Sequence, residues 1–393
     1  MAKTERWLLT DVSADLWTER FHVSSGDRAD VAFPYSWFIS KRTLRGGKRD
    51  GVELLELHNG VLTLSVLPTR GMGLWRGEYR GWRLGWQAPV RGPVHPHWVS
   101  LLDRGGLGWL DGFDEWICRC GLHSNGPPGH DPQTNEFLTL HGRIANQPAH
   151  YLAVEVQSEP PFLLSVTGRV QESTLFFSHL ELRSTVRTPL GANWFEIEDE
   201  IINLSTKSAE LELLYHCNFG PPFLENGSRV VAPIRELAPR NARAAEGIDN
   251  WDKYLGPTPG FIEQVYFADL ATNAVGMTLA LLHNAAQDKG VVLRWLKAQL
   301  PHFIVWKNTG AVEDGYVTGL EPATNFPNFK AFERQQGRVL TLPPHGQYRA
   351  ILRIEILDRR ESLQAVLGEI AQLTPTPAVI HRQPHPTWCQ PAS

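Results

Sequence analysis

Cysteine and long apolar runs are both scarce in this 393-residue chain. The four cysteines, Cys118, Cys120, Cys217 and Cys389, are too few for a disulfide framework. Cys118 and Cys120 sit too close in sequence for easy bridging, and neither of the other two belongs to a zinc-type CxxC pair. Apolar runs reach only a handful of residues, as from Leu279 to Leu282, against the ~20 needed to span a bilayer. The opening Met-Ala-Lys-Thr-Glu-Arg-Trp-Leu-Leu-Thr lacks an apolar leader core. Charge is nearly balanced, with 38 Lys+Arg against 42 Asp+Glu for a net of −4. A cationic surplus of the kind that nucleic acid or an anionic membrane demands is therefore missing. No P-loop, no GxGxxG after a strand, no GxSxG elbow and no HExxH occurs. The expectation is a soluble, reduced, cytoplasmic protein with neither a nucleic-acid nor a membrane partner.

An apolar fraction of 42% with 20% charged residues is enough to build a large core. Glycine (34) and proline (28) point to many turns. The length allows two or three domains at roughly 150 residues each, but all-β units often run longer. Alternation is nearly everywhere: Leu62, Leu64 and Val66 oppose Val61, Thr63, Ser65 and Leu67, and Phe195, Ile197 and Ile201 oppose Glu196, Glu198 and Glu200. Further strands are expected over 151–157, 163–170, 174–182, 263–268, 275–282, 290–296, 302–307 and 347–356. Helical spacing is clear only for Leu363, Val366, Leu367, Ile370 and Leu373, with Asp358 available as a cap, and a short helix is expected near 97–104. No repeat of 20–50 residues is visible. The pattern predicts an all-β fold, a large antiparallel β-sandwich with a few short helices. Residues 1–45 read as an N-terminal elaboration, 46–373 as one sandwich domain, and 374–393, with five prolines, as an irregular tail.

Four segments combine polar and aromatic residues with Gly or Pro: 67–75, 140–146, 213–222 and 319–328. His216 follows Glu210, Glu212 and Leu214 in the alternation, so it faces away from Leu211, Leu213 and Tyr215, where a histidine can exchange a proton near neutrality. Glu321 precedes Pro322, which forces it into an extended or turn conformation on a rigid hairpin suited to a general base. His141 and Arg143 flank Gly142, which allows close backbone approach to a ligand. Arg143 and Arg70 offer planar donor forks for hydroxyls, carboxylate or phosphate. Trp306 and Lys307 offer a stacking face and a cation. For each of these residues a purely structural role is the competing reading. No metal centre is expected; a divalent ion on the histidines 123, 130, 141 and 150 has irregular spacing against it.

Read in order, His-Gly at 141–142, Tyr-His-Cys-Asn-Phe at 215–219 and Leu-Glu-Pro at 320–322 resemble the aldose 1-epimerases of the galactose mutarotase-like superfamily. The segments Pro-Thr-Arg-Gly-Met-Gly (68–73), Gly-Trp-x-Leu-Gly-Trp (81–86), Cys-Gly-Leu-x-Ser-Asn-Gly (120–126), His-Gly-Arg-Ile (141–144), Leu-Tyr-His-x-Asn-Phe-Gly (214–220) and Leu-Glu-Pro-Ala-Thr-Asn (320–325) resemble its DUF4432 branch over about 50–356. The resemblance implies the mutarotase-like supersandwich, no cofactor, and a sugar or sugar derivative as the partner. It implies His216 as general acid, Glu321 as general base, and Arg70, His141, Arg143, Asn218 and Trp306 as substrate contacts. The activity implied is interconversion of sugar anomers by ring opening, with the histidine raised in pKa by a nearby carboxylate and the glutamate kept ionised by a donor. The sequence departs from the family pattern where Cys217 replaces proline after the histidine. It also lacks a second His-Gly-Gly, and Asp249 and Asp252 are only weak matches for a substrate-binding aspartate. A non-catalytic carbohydrate-binding module, or a metal-dependent sugar isomerase or lyase, would use the same fold.

Overall fold

The computed structural model describes residues 4–28 and 31–391. Two large sheets dominate, one of ten strands and one of fourteen, both almost wholly antiparallel. The alternation has the outcome its period demands. In the ten-stranded sheet, Phe195, Ile197 and Ile201 point into the core while Glu196, Glu198 and Glu200 form an outer ladder with Arg187, Arg353, Arg349 and Arg183. Leu57, Leu64, Leu211, Leu213 and Tyr215 of the larger sheet pack against Val154, Val166, Val186, Ile197 and Leu352 of the smaller one in one continuous core. This is a sandwich with its apolar layer between the sheets.

One buried ion pair crosses that layer. Arg119, in the strand Ile117–Leu122, donates Nε and Nη2 to the carboxylate of Asp199 in Trp194–Asn203, at 2.6 and 2.9 Å. Tyr215 Oη donates to the same carboxylate at 2.8 Å, and Ser184 Oγ and the Met72 carbonyl take the remaining guanidinium donors. Both charged side chains are essentially inaccessible.

Local departures from the sequence reading have local causes. The strand expected over 174–182 begins only at His179, because a turn closed by Thr174 and Ser178 exposes Leu175, Phe176 and Phe177. The helix Arg360–Leu373 forms as its spacing requires, but Asp358 does not cap it; that carboxylate instead accepts from Tyr79 Oη and pairs with Arg80. The short helix near 97–104 divides into a 3-10 turn at Pro96–Trp98 and a single turn at Asp103–Gly106. The proline-rich tail is less irregular than its composition suggests. Val379–Ile380 pairs in parallel with Ile234–Pro239, Trp388 stacks on Phe326, and Cys389 is buried against the Pro239 carbonyl. All four cysteines are free and buried, and among the described residues no helix is long and apolar enough to cross a membrane.

Removing one partner of a buried ion pair strands the other charge, at a cost of about 3–5 kcal/mol. Asp199→Ala is therefore expected to lower the unfolding free energy by about that amount, read by urea denaturation with both fluorescence and circular dichroism.

Candidate active site

The outer face of the larger sheet carries the chemistry. Register between Ala209–Phe219 and Val317–Ala323 runs through Leu214↔Ala323 and Cys217↔Leu320, which sets His216 and Glu321 directly opposite each other on one face. The row continues to Cys118 on one side and to Ile304 and Phe267 on the other. The next row on the same face holds Asn218, Gly319, Trp306 and Val265. Four adjacent strands build the floor of a cavity of about 320 Å³, through His216, Glu321, Ile304 with Trp306, and Val265. Loops carrying Trp109, Phe113, His141 and Pro327 wall it, with Arg240 and Glu263 at the rim. This face, on which His216 was expected to exchange a proton near neutrality, is not open to water. Loops cover it so fully that Glu212, on the same face, is buried and held by Asn125 N and Asn325 Nδ2, its pKa pushed up to about 8 by burial.

His216 Nε2 lies 3.4 Å from Glu321 Oε1, and both side chains are nearly inaccessible. His216 Nδ1 meets Asn218 Oδ1 at 2.6 Å, while Asn218 Nδ2 donates to the carbonyls of Glu115 and His216. With its amide committed as donor to two carbonyls, Asn218 can present only its oxygen to the ring. The Nδ1–H tautomer of His216 follows, with the Nε2 lone pair turned to Glu321. Phe113, Trp306 and Trp109 surround the imidazole at ring-centre distances of 5.0, 5.2 and 6.2 Å. His141 stands 5.6 Å away, its Nδ1 bound to the Asn125 carbonyl.

Desolvation governs the electrostatics, and it reverses the expected tuning. Burial, with a smaller contribution from His141, pushes His216 down to about 3, although the Asn218 bond acts the other way. Burial likewise takes His141 down to about 4. Glu321 is pushed well above the ordinary carboxylate range by burial and by the Glu263 charge, with Arg240 only partly offsetting them. Its Oε1 has no hydrogen-bond partner. The two expected charges are absent because no donor reaches the carboxylate and the apolar walls favour neutral forms of both groups. Burial thus biases the pair toward a neutral imidazole and a protonated carboxyl group.

Glu321 is extended, as Pro322 requires, in the second strand of the hairpin formed by His302–Asn308 and Val317–Ala323, and Gly319, two residues earlier on the same face, makes room for it. A Cβ at Gly319 would lie 2.3 Å from Glu321 Oε1 and 3.2 Å from Trp306. Gly142 gives close approach to backbone instead of ligand: a Cβ there would meet the Ser124 and Gly121 carbonyls at 2.2 and 2.4 Å. Its turn nonetheless aims His141 into the cavity.

Not every candidate converges. Arg70 is wholly buried away from the cavity, its guanidinium consumed by Glu115, Asn146 Oδ1 and the carbonyls of Val94 and Gly112. Arg143 is exposed and reaches Thr174 Oγ1 at 3.4 Å. Lys307 turns to the opposite face from Trp306, donating to the Asn250 and Lys253 carbonyls. Asn218 lies behind His216 and does not line the cavity. Asp249 and Asp252 pair with Arg382 and Arg229 outside it. The histidines at 123, 130 and 150 scatter, pairing with Glu136, meeting Phe137 edge to face and pairing with Glu181 respectively. The sequence reading missed Trp109, Phe113, Arg240 and Glu263. Trp306 Nε1 donates to Glu263 at 2.7 Å, and Glu263 lies 4.0 Å from Arg240. Each comes from a loop or strand end with no motif, so only the tertiary fold assembles them.

This sheet topology is that of a galactose mutarotase-like β-sandwich. The chain belongs to the DUF4432 family, described as a domain of unknown function, whose model matches residues 49–356. It is similar to a candidate aldose 1-epimerase from Klebsiella pneumoniae subsp. pneumoniae MGH 78578, at 34% identity over 96% of this chain and 97% of that one, with a TM-score of 0.93. Two more distant structures share the fold. One is a galactose mutarotase-like protein from Clostridium acetobutylicum, at 14% identity over 80% of this chain and 97% of that one, TM-score 0.55. The other is galactose 1-epimerase from Lactobacillus acidophilus NCFM, at 11% identity over 82% and 99%, TM-score 0.55. No curated protein matches the chain.

A carboxyl group whose folded-state pKa is raised contributes stability that is present below its ordinary pKa and lost as pH rises through the folded value. Glu321→Gln removes that loss. The variant is expected to match the parent in Tm at pH 5 and to exceed it by a margin that widens toward pH 9, measured by calorimetry.

Proposed function

We propose that the protein is an aldose 1-epimerase-like isomerase that interconverts the anomers of a sugar or sugar derivative by acid–base ring opening. The observation that carries this reading is the His216–Glu321 pair, two proton-exchanging groups 3.4 Å apart on the floor of an aromatic-walled cavity. Mutarotation needs one proton removed from the C1 hydroxyl and one delivered to the ring oxygen. The C1–O5 bond then breaks, the C1 carbonyl forms, rotation about C1–C2 turns the aldehyde, and closure on the other face returns both protons.

A pair holding one proton is complete for this cycle, because each half-reaction passes the proton from one member to the other by way of the sugar. With the cyclic sugar bound, Glu321 as base and protonated His216 as acid give a neutral pair when the ring is open. That neutral pair is the form the empty cavity favours, and it is poised for ring closure. The hydroxyls of a bound sugar supply the donors that the Glu321 carboxylate otherwise lacks. Asn218 acts behind the imidazole: its carbonyl oxygen steadies the Nδ1–H and hence the cationic form.

Trp306, Trp109 and Phe113 offer flat faces for the apolar side of a pyranose. His141, Arg240 and Glu263 are within the lining to bind hydroxyls. Arg70 serves this site indirectly, holding the loops at 94, 112 and 146 in place.

Saturation-transfer NMR between α and β anomers, over neutral, acidic and phosphorylated sugars, tests the reading. Faster exchange with one class is expected. Binding without faster exchange would point instead to a carbohydrate-binding module. For the responding sugar, Glu321→Gln and His216→Gln are each expected to lower kcat by about 10²–10⁴-fold. The double variant should be little worse than either single one, because the two groups act as a unit. Activity requires the pair to keep a single proton. With His216 low and Glu321 high, kcat/KM should stay level from pH 7 down to pH 5 and fall as pH rises through the elevated Glu321 value. A drop between pH 7 and pH 5 would contradict the assignment.

A further inference from the structure

Outside the cavity, one set of metal-ligating side chains converges. Among the described residues, Glu236, His381 and His385 form the only group of three or more His, Cys, Asp or Glu side chains whose donor atoms all lie within 4.8 Å of one another. We propose that these three residues bind a divalent transition-metal ion, zinc in the first instance, which fastens the C-terminal segment to the edge of the larger sheet.

The three residues come from two elements brought together by pairing. Glu236 lies in Ile234–Pro239, and the parallel partner Val379–Ile380 leads directly into His381, whose backbone N–H donates to the Leu237 carbonyl at 2.9 Å. His381 Nε2 contacts Glu236 Oε1 at 2.7 Å. The chain then turns at Pro384 and brings the His385 ring to 4.8 Å from that of His381, edge to face. All three side chains are half-buried, so an ion reaches them from solvent while part of their hydration is already lost.

Two imidazoles and one carboxylate make a donor set that suits zinc, with the fourth tetrahedral position left to water. Metal–ligand distances of about 2.0–2.2 Å put donor atoms on one ion roughly 3.3 Å apart. Separations of up to 4.8 Å close by at most about 1.5 Å to meet that figure, while the His381–Glu236 contact opens slightly. Side-chain rotation at half-exposed positions covers both movements. A positioning bond is already in place: His385 Nδ1 meets Thr387 Oγ1 at 3.0 Å. The Thr387 backbone N–H donates to the same nitrogen at 3.4 Å, so the two Thr387 contacts hold the orientation of the ring, with Nε2 on the side away from Thr387. Trp388 packs on His385 at 5.6 Å and on Phe326 at 5.2 Å, giving the segment an apolar anchor beyond the ligands.

The site is separate from the His216–Glu321 pair, and its test does not depend on the reaction. Full-length protein stripped with chelator is titrated with zinc chloride by calorimetry, and bound zinc is counted after dialysis. One zinc per chain is expected in the parent protein. The combined variant Glu236→Gln, His385→Asn should lose it while keeping the circular dichroism and Tm of the metal-free parent. A second readout follows from the fastening role. Arg382 is largely exposed, and zinc should slow tryptic cleavage after it in the parent but not in the combined variant. Absence of stoichiometric zinc in the parent would overturn the proposal. So would equal uptake by the combined variant, or cleavage after Arg382 that is indifferent to zinc.

Discussion

The structure turns on a carboxyl group, that of Glu321, one of whose oxygens is buried with no hydrogen-bond partner among the described residues. Glu321 Oε1 is buried and unpartnered, with a neutral histidine across the strand pair as its nearest polar neighbour. Isolated burial of this kind costs free energy, and the surrounding sheet makes it possible. Glu321 has hydrogen-bonded strands on both sides, and its backbone has no freedom to swing the side chain to water. Gly319 leaves the space into which the carboxyl group fits, so the same strand supplies both the acid and its socket.

The rest of the fold keeps that arrangement rigid and dry. Arg119 and Asp199 tie the two sheets beneath the site, and Tyr215, the neighbour of His216 in sequence, is held to the same carboxylate on the core side. One residue of the strand is therefore anchored inward while the next is presented outward. Arg70 performs a similar service above the sheet, drawing three loop segments around one guanidinium. Neutral forms of His216 and Glu321 follow from the dryness that these devices create.

Much of this was legible in the sequence, for identifiable reasons. Period-two alternation placed His216 opposite Leu211, Leu213 and Tyr215, and the strand delivered it there. The motif order linked His216, Glu321 and His141, and the three do share one cavity. Arg70 and Arg143 were harder, because an arginine beside glycine looks the same in sequence whether it faces a ligand, a buried glutamate or solvent. The electrostatic tuning was unreadable for a related reason. It depends on loop coverage of the sheet face, contributed by Trp109, Phe113 and the 123–128 and 324–328 segments, none of which carries a periodic signal. Arg240 and Glu263 escaped for the same cause. The tail reads as irregular from its five prolines, yet Val379–Ile380 pairs with a sheet edge and Trp388 and Cys389 each find a place to pack.

The most direct test of the account is the protonation state of His216 in the ligand-free protein. Nitrogen-15 NMR of labelled histidine, assigned by comparison with His216→Gln, distinguishes the neutral Nδ1–H tautomer from imidazolium. The account predicts the neutral tautomer at pH 7, with a protonated Nδ1 and an unprotonated Nε2, unchanged down to pH 5. An imidazolium signal at pH 7 would mean that Glu321 is ionised in the empty cavity, and would contradict the single-proton neutral pair on which the mechanism rests.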